Sequence, residues 1–164
     1  MNDQIVHDIL TKPAKLSDDQ CSAVITTSRF SRIIAGAGAG KTETLTRRIV
    51  YLLLVKGVHP LSIVAFTFTE KAALSMKNRI YERVEQIGGE KATANLGEMY
   101  IGTIHGYAKR ILEDHFGFGN YTVFDENQEM AYLLREGWNL GLNRDGGTYS
   151  KNCADFLRTV NMVW

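Results

Sequence analysis

Ile33-Ile34-Ala35-Gly36-Ala37-Gly38-Ala39-Gly40-Lys41-Thr42 opens on β-branched apolar residues, alternates glycine with alanine, and closes on Lys-Thr. A strand over 33–35 that feeds a glycine-rich loop opening a helix is the arrangement that cradles phosphate. Gly36, Gly38 and Gly40 let backbone N–H groups turn inward as a nest, and the first turn of the next helix adds its positive dipole end. On this reading residues Ala35, Gly36, Ala37, Gly38, Ala39 and Gly40 wrap the phosphates of a nucleoside triphosphate. Lys41 reaches the β/γ oxygens and the Thr42 hydroxyl is a ligand for Mg²⁺, which makes this pair the candidate catalytic residues. The general pattern asks for glycine where Ala35 stands, and alanine costs little there wherever φ is negative. A flexible Gly/Ala turn would account for the glycines, but not for Lys-Thr and both flanking elements together.

Composition bounds the rest. The 164 residues are 45% hydrophobic and 23% charged, enough for one core-forming domain with an appendage. A net charge of +1 does not announce a nucleic-acid binder, so any such surface must come from local placement of charge. Cys21 and Cys153 lie far apart without C-x-x-C spacing, which argues against a disulfide framework or thiolate metal site and suits a cytoplasmic or nucleoid-associated protein. Residues 1–10 carry Asp3 and Asp8 without an apolar run, and no later stretch reaches ~18 apolar residues, so neither a signal peptide nor a membrane span is expected.

The order is a helix followed by repeated strand and helix, the pattern of an α/β fold with a parallel sheet flanked by helices. Ser17 caps a helix over 18–27. After the loop, Leu45, Ile49, Leu52 and Leu53 recur at helical spacing until Gly57 and Pro60. Residues 62–68 are a second strand, and Thr69 caps a helix with Ala72, Met76, Ile80 and Val84 on one face, stopped by Gly88-Gly89. A polar loop over 90–97, a third strand over 99–104 and a helix over 106–116 follow, the last with Ala108, Ile111, Leu112 and His115 inward. Beyond Gly119 the pattern changes. A strand-like run over 121–124 precedes Asp125, which with Gln128 forms a capping box for a helix carrying Met130, Leu133, Leu134 and Trp138. A loop over 141–148 leads to a last helix over 150–164, with Phe156, Leu157, Val160 and Trp164 on one side. The expected boundary puts a nucleotide-binding domain at 1–119 and the start of a helical subdomain at 120–164.

A phosphate loop alone does not choose between kinase, GTPase, transporter motor and helicase. Three further segments do: L-S-D-D-Q at 16–20, A-F-T-F-T-E-K-A-A at 65–73 and I-G-T-I-H-G at 101–106. With the loop they resemble, in the correct order, the Q motif and motifs I, Ia and Ib of the UvrD/Rep family of superfamily 1 DNA helicases. Ala35 is also what that family carries. The resemblance covers roughly 16–125 and implies a RecA-like P-loop NTPase sheet, incomplete here, as motor domain 1A, followed by the beginning of the inserted subdomain 1B.

It also implies roles. Gln20 would read adenine. Phe68 would stack on an unpaired base, with Thr67, Thr69 and Lys71 on the backbone phosphates and Thr103 and His105 as further single-strand contacts. From the residues alone, Phe66 and Phe68 share a strand face, so at least one is a core candidate, and the resemblance favours Phe68 as the stacking one. Glu70 stands where the family usually has asparagine, and a carboxylate there repels phosphate. Lys109 and Arg110 read equally as phosphate-neutralising or merely solvated. The spacing of His105 to His7, His59 and His115 suggests no metal.

The implied cofactors are ATP and Mg²⁺, and the implied partners are single-stranded DNA, duplex junctions and the remaining helicase domains of a parent protein, with 3′-to-5′ unwinding as its activity. Rival readings are a non-catalytic nucleotide- and DNA-binding module, and a kinase-like P-loop NTPase in which Phe68 and His105 are structural. Hydrolysis needs a metal-holding acid, a positioned water and an arginine. Val123-Phe124-Asp125-Glu126 imitates a strand followed by acids, but Asp125 also has capping chemistry. The family's acid pair and arginines belong to later motifs, so this chain is expected to be an amino-terminal fragment that binds without turnover and leaves a sheet edge unpaired.

Overall fold

Val64–Thr67 (β1) and Tyr100–Thr103 (β2) pair in parallel, with Val64 opposite Tyr100 and Thr67 opposite Thr103. A parallel pair needs a crossover, and here it is the helix Glu70–Gly88 (α4). These elements belong to a computed structural model that describes residues 2–143 and 148–161. It divides into two units, Met1–Phe116 and Gly117–Trp164.

In the first unit, Asn2–Thr11 (α1), Asp18–Ile25 (α2) and Lys41–Leu54 (α3) precede β1, and Ile104–Phe116 (α5) follows β2. α4 is long because Ala73, Met76, Ile80 and Val84 recur every three or four residues and all four are buried. Thr69 caps its start through the Ala72 N–H, and Gly89, at φ 77°, lets the chain leave its end. The apolar stripe of α4 meets Ile49, Val50 and Tyr51 of α3, Ala65 of β1 and Ile101 of β2 in one core. Ile9 of α1 joins that core, an element the sequence reading did not anticipate although Ile5, Val6, Ile9 and Leu10 share a helical face.

Several expectations are corrected. Residues 33–35 are not a strand: 31–36 have no regular structure, and Ile34 is exposed. A strand is defined by a hydrogen-bonded neighbour, which β-branched composition does not supply, and the only ladder among the described residues joins β1 to β2. On α4 it is Ala73, not Ala72, that is buried. The stretch 90–97 contains two short 3₁₀ turns and buries Leu96. α5 starts two residues earlier than expected, and its Ala108, Leu112 and His115 are exposed, because Tyr107 provides its ring contact with the sheet.

In the second unit, Glu126–Glu136 (α6) carries the Asp125–Gln128 capping box in full. Residues 121–124 are exposed and form no strand, for the same want of a partner. Tyr149–Asn161 (α7) is fastened to α6 when the Tyr149 hydroxyl donates to Leu133 O at 3.0 Å and buried Cys153 packs against the same carbonyl. Trp138 lies past the end of α6 and is exposed, as are Leu134, Phe156 and Val160. Trp164 and positions 144–147 of the expected loop fall outside the described residues. No helix among the described residues is long and apolar enough to cross a membrane.

Candidate functional site

The glycine loop turns tightly before α3. Gly38 at φ 75° and Gly40 at φ 77° occupy the left-handed region, which only glycine enters cheaply, whereas Gly36 does not. Gly40 precedes α3 without a side-chain cap, so the first N–H groups of the helix open onto the loop. Lys41 Nζ folds back and donates to Ala35 O at 2.9 Å and Gly36 O at 2.5 Å. The ammonium thus closes back onto the two carbonyl oxygens at the start of the loop. Thr42 is exposed beside it.

Gln20 is joined to the loop. Its Oε1 accepts from Ser17 N at 3.0 Å, and its Nε2 donates to Ala39 O at 3.1 Å, so one amide both closes the α2 capping box and holds the loop. A Cβ on Gly40 would lie 2.7 Å from that Nε2. Gln20, Ala23, Ile33, Ile34, Lys41 and Thr44 surround a cavity of about 220 Å³.

α3 is anchored from behind by groups that the sequence reading missed. Arg47, 2% exposed, donates to Glu43 Oε1 at 2.6 Å, Ile9 O at 3.0 Å and Ala14 O at 2.8 Å. Arg83 of α4 shares the Glu43 carboxylate at 2.5 Å, and Arg48 reaches Val24 O, near the end of α2, at 2.7 Å. Burial opposes ionisation of Glu43, but the hydrogen bonds from Arg47 and Arg83 outweigh it and hold the carboxyl below its ordinary value. The four-residue spacing of Glu43 and Arg47 signals a pair on one helix, but the sequence carries no sign of Arg83 or of the Ile9 and Ala14 carbonyls.

The second group of candidates gathers at the carboxyl ends of β1 and β2, where α4 and α5 begin. Phe68 is fully exposed, which removes the core reading for it. Phe66 instead meets Tyr107 at 5.5 Å and Tyr100 at 6.2 Å between ring centroids. Lys71 and His105 are exposed. The hydroxyls are partly engaged: Thr67 donates to Thr69 O at 2.9 Å, and Thr69 accepts from Ala72 N at 3.1 Å, which leaves its own proton available. Thr103 donates to Glu70 Oε1 at 2.9 Å while accepting from Gly106 N at 3.1 Å. Lys109 and Arg110 each have a carboxylate four residues on, Glu113 at 3.5 Å and Asp114 at 3.3 Å.

The glycines around Thr103 have a packing reason. A Cβ on Gly102 would stand 2.5 Å from the Tyr100 hydroxyl oxygen and one on Gly106 2.8 Å from it. Tyr100 lies over both and donates to Thr103 O at 2.9 Å, and burial, followed by the charge of Glu70, pushes its phenol up. The two candidate groups converge, since Lys41, Thr42, Thr67 and Phe68 line one cavity of about 260 Å³. Asp125 accepts from Gln128 N at 2.8 Å as a helix cap. Among the described residues no group of three or more His, Cys, Asp and Glu is placed to hold a metal ion.

The UvrD/REP helicase N-terminal domain matches residues 16–146, a span that takes in the loop, both strand ends and α6. This chain belongs to the UvrD/REP helicase family. DNA helicase II of Salmonella typhimurium is 38% identical over 124 residues, which cover 73% of this chain and 16% of that protein. The ATP-dependent DNA helicase UvrD1 of Mycobacterium tuberculosis is 38% identical over 133 residues, covering 78% of this chain and 16% of the relative. The ATP-dependent DNA helicase PcrA of Staphylococcus epidermidis is 40% identical over 122 residues, 72% of this chain and 16% of the relative. The aligned part therefore spans about a sixth of the length of these family members.

Proposed function

We propose that this chain supplies the ATP- and single-stranded-DNA-binding portion of an ATP-dependent DNA helicase. Residues 1–119 would be part of a RecA-like P-loop motor domain 1A, and 120–164 the beginning of the helical subdomain 1B. The observation that carries the reading is the shared cavity: Lys41 and Thr42, at the start of α3, line the same space as Thr67 and Phe68, at the end of β1. A nucleotide and a DNA strand bound at the two groups would be near neighbours, as a motor that converts hydrolysis into stepping requires.

The residues present fit a nucleoside triphosphate with Mg²⁺. Gly38 and Gly40 hold the turn, the uncapped start of α3 offers N–H donors to the phosphates, and Lys41 exchanges Ala35 O and Gly36 O for phosphate oxygens. Thr42 would hold Mg²⁺ together with the phosphates, and Gln20 would face the adenine. Bound ATP supplies the phosphoryl group that is transferred to water, and these residues bind and orient it. At the strand ends, Phe68 would stack on a base, worth ~1–3 kcal/mol, while Thr69, Lys71 and His105 donate to the backbone without reading sequence. Duplex junctions, the remaining helicase domains and 3′-to-5′ unwinding belong to the same proposal for the parent protein.

Two titrations test it. Calorimetry should show Mg·ATP binding that Lys41→Ala abolishes and that GTP reproduces only weakly. Anisotropy with an unstructured oligonucleotide should show salt-sensitive binding that Phe68→Ala weakens by about tenfold. ATP binding indifferent to Lys41, or DNA binding indifferent to Phe68, refutes the corresponding half.

A further inference from the structure

We infer that Glu70 is a positioning residue that withholds the Thr103 hydroxyl from a DNA backbone, setting how weakly this end of the sheet holds a single strand. The inference rests on the DNA-binding reading of the strand ends. Parallel register places Thr67 opposite Thr103, so the turns after β1 and β2 begin side by side. Glu70 is the first residue of α4 behind its cap Thr69, where the helix dipole stabilises a carboxylate. From there Oε1 lies 2.9 Å from Thr103 Oγ1. An ionised carboxylate only accepts, so the proton in that bond is the hydroxyl's single proton.

The other side of the same oxygen accepts from Gly106 N at 3.1 Å in the first turn of α5. Thr103 is thereby turned with its proton toward Glu70 and its lone pair toward the helix. Phosphate oxygens need donors, and in this arrangement Thr103 offers none. Of the hydroxyls at the strand ends, Thr67 is spent on Thr69 O, and Thr69 keeps its proton. Glu70 acts twice, by adding a negative charge beside the proposed strand path and by occupying a donor that would otherwise face it.

The two contributions separate by substitution. Glu70→Gln removes the charge and keeps an oxygen acceptor for Thr103, whereas Glu70→Ala removes both. Anisotropy titrations of a fluorescent oligothymidylate should be run on the whole chain, as wild type, Glu70→Gln and Glu70→Ala, each with and without Thr103→Val. Glu70→Ala is expected to tighten binding roughly five- to tenfold, and more than Glu70→Gln, because it alone frees the hydroxyl. Thr103→Val should change affinity less than about twofold in wild type yet remove most of the gain that Glu70→Ala has over Glu70→Gln. Thr103→Ser, which keeps the hydroxyl that donates to Glu70 and accepts from Gly106 N, should behave as threonine in every background. If the valine variant fails to fold, the difference between Glu70→Ala and Glu70→Gln decides by itself.

Equal affinities for Glu70→Ala and Glu70→Gln mean that charge alone acts and overturn the positioning role. So does a cost of Thr103→Val that is the same in all backgrounds. Binding that is absent from every variant, or insensitive to salt and to Phe68→Ala, instead refutes the DNA reading itself and takes this inference with it.

Discussion

Replacing Arg47 by methionine keeps the apolar stem and the approximate volume and deletes only the guanidinium. The arginine is 2% exposed and makes three hydrogen bonds, to Glu43, Ile9 O and Ala14 O. Ile9 O is buried, so losing its donor leaves an acceptor that water cannot reach, a cost of ~1–3 kcal/mol. Ala14 is exposed and its carbonyl can turn to solvent, so that bond contributes only ~0.5–1.5 kcal/mol. Glu43 retains Arg83 and loses about one charge-assisted bond, another ~1–2 kcal/mol. The expected loss is ~3–5 kcal/mol, a large share of the ~5–15 kcal/mol that holds a domain together. Urea unfolding followed by circular dichroism gives the total, and hydrogen exchange of the α1 amides locates it, because α1 is the element released from α3. A loss below ~1 kcal/mol would refute the reasoning, for it would mean that desolvating the guanidinium costs as much as its three bonds return.

Acid should act on the same network. The folded-state pKa of Glu43 is lowered, so its stabilisation is fully present above the unfolded value near 4.5 and disappears as pH falls through the lower folded value. The urea midpoint of wild type should therefore fall more steeply on acidification than that of Glu43→Gln. Gly102→Ala drives a Cβ to 2.5 Å from the Tyr100 hydroxyl oxygen and should cost ~1–3 kcal/mol in thermal unfolding as the ring leaves Phe66 and Tyr107. Gly40→Ala meets a φ of 77° and displaces Gln20 Nε2 from Ala39 O. It should cost ~1–2 kcal/mol and weaken Mg·ATP binding measured by calorimetry, and unchanged affinity would separate the Gln20 clasp from nucleotide binding.

Much of what local chemistry encodes was legible in the sequence, though not α1, whose Ile5, Val6, Ile9 and Leu10 share a helical face. The Ser17, Thr69 and Asp125 caps, the apolar stripe of α4 at Met76, Ile80 and Val84, and the end of α4 at Gly88-Gly89 all follow from interactions within a few residues, and each stands where the reading put it. The family was equally legible, because four short motifs in order form a pattern that few other folds share. Tertiary structure alone decided three things. It left 33–35 without a strand, since pairing is a property of two segments and apolar composition belongs to one. It exposed Phe68 and turned Phe66 onto Tyr107 and Tyr100, a choice that period-two alternation cannot make for residues at a strand end. It also brought Arg83 to Glu43, Arg47 to Ile9 and Glu70 to Thr103 across 40, 38 and 33 positions. Such bonds depend on how α1, α3, α4 and the two strands pack, and no periodicity within one segment records which distant donor will find its acceptor.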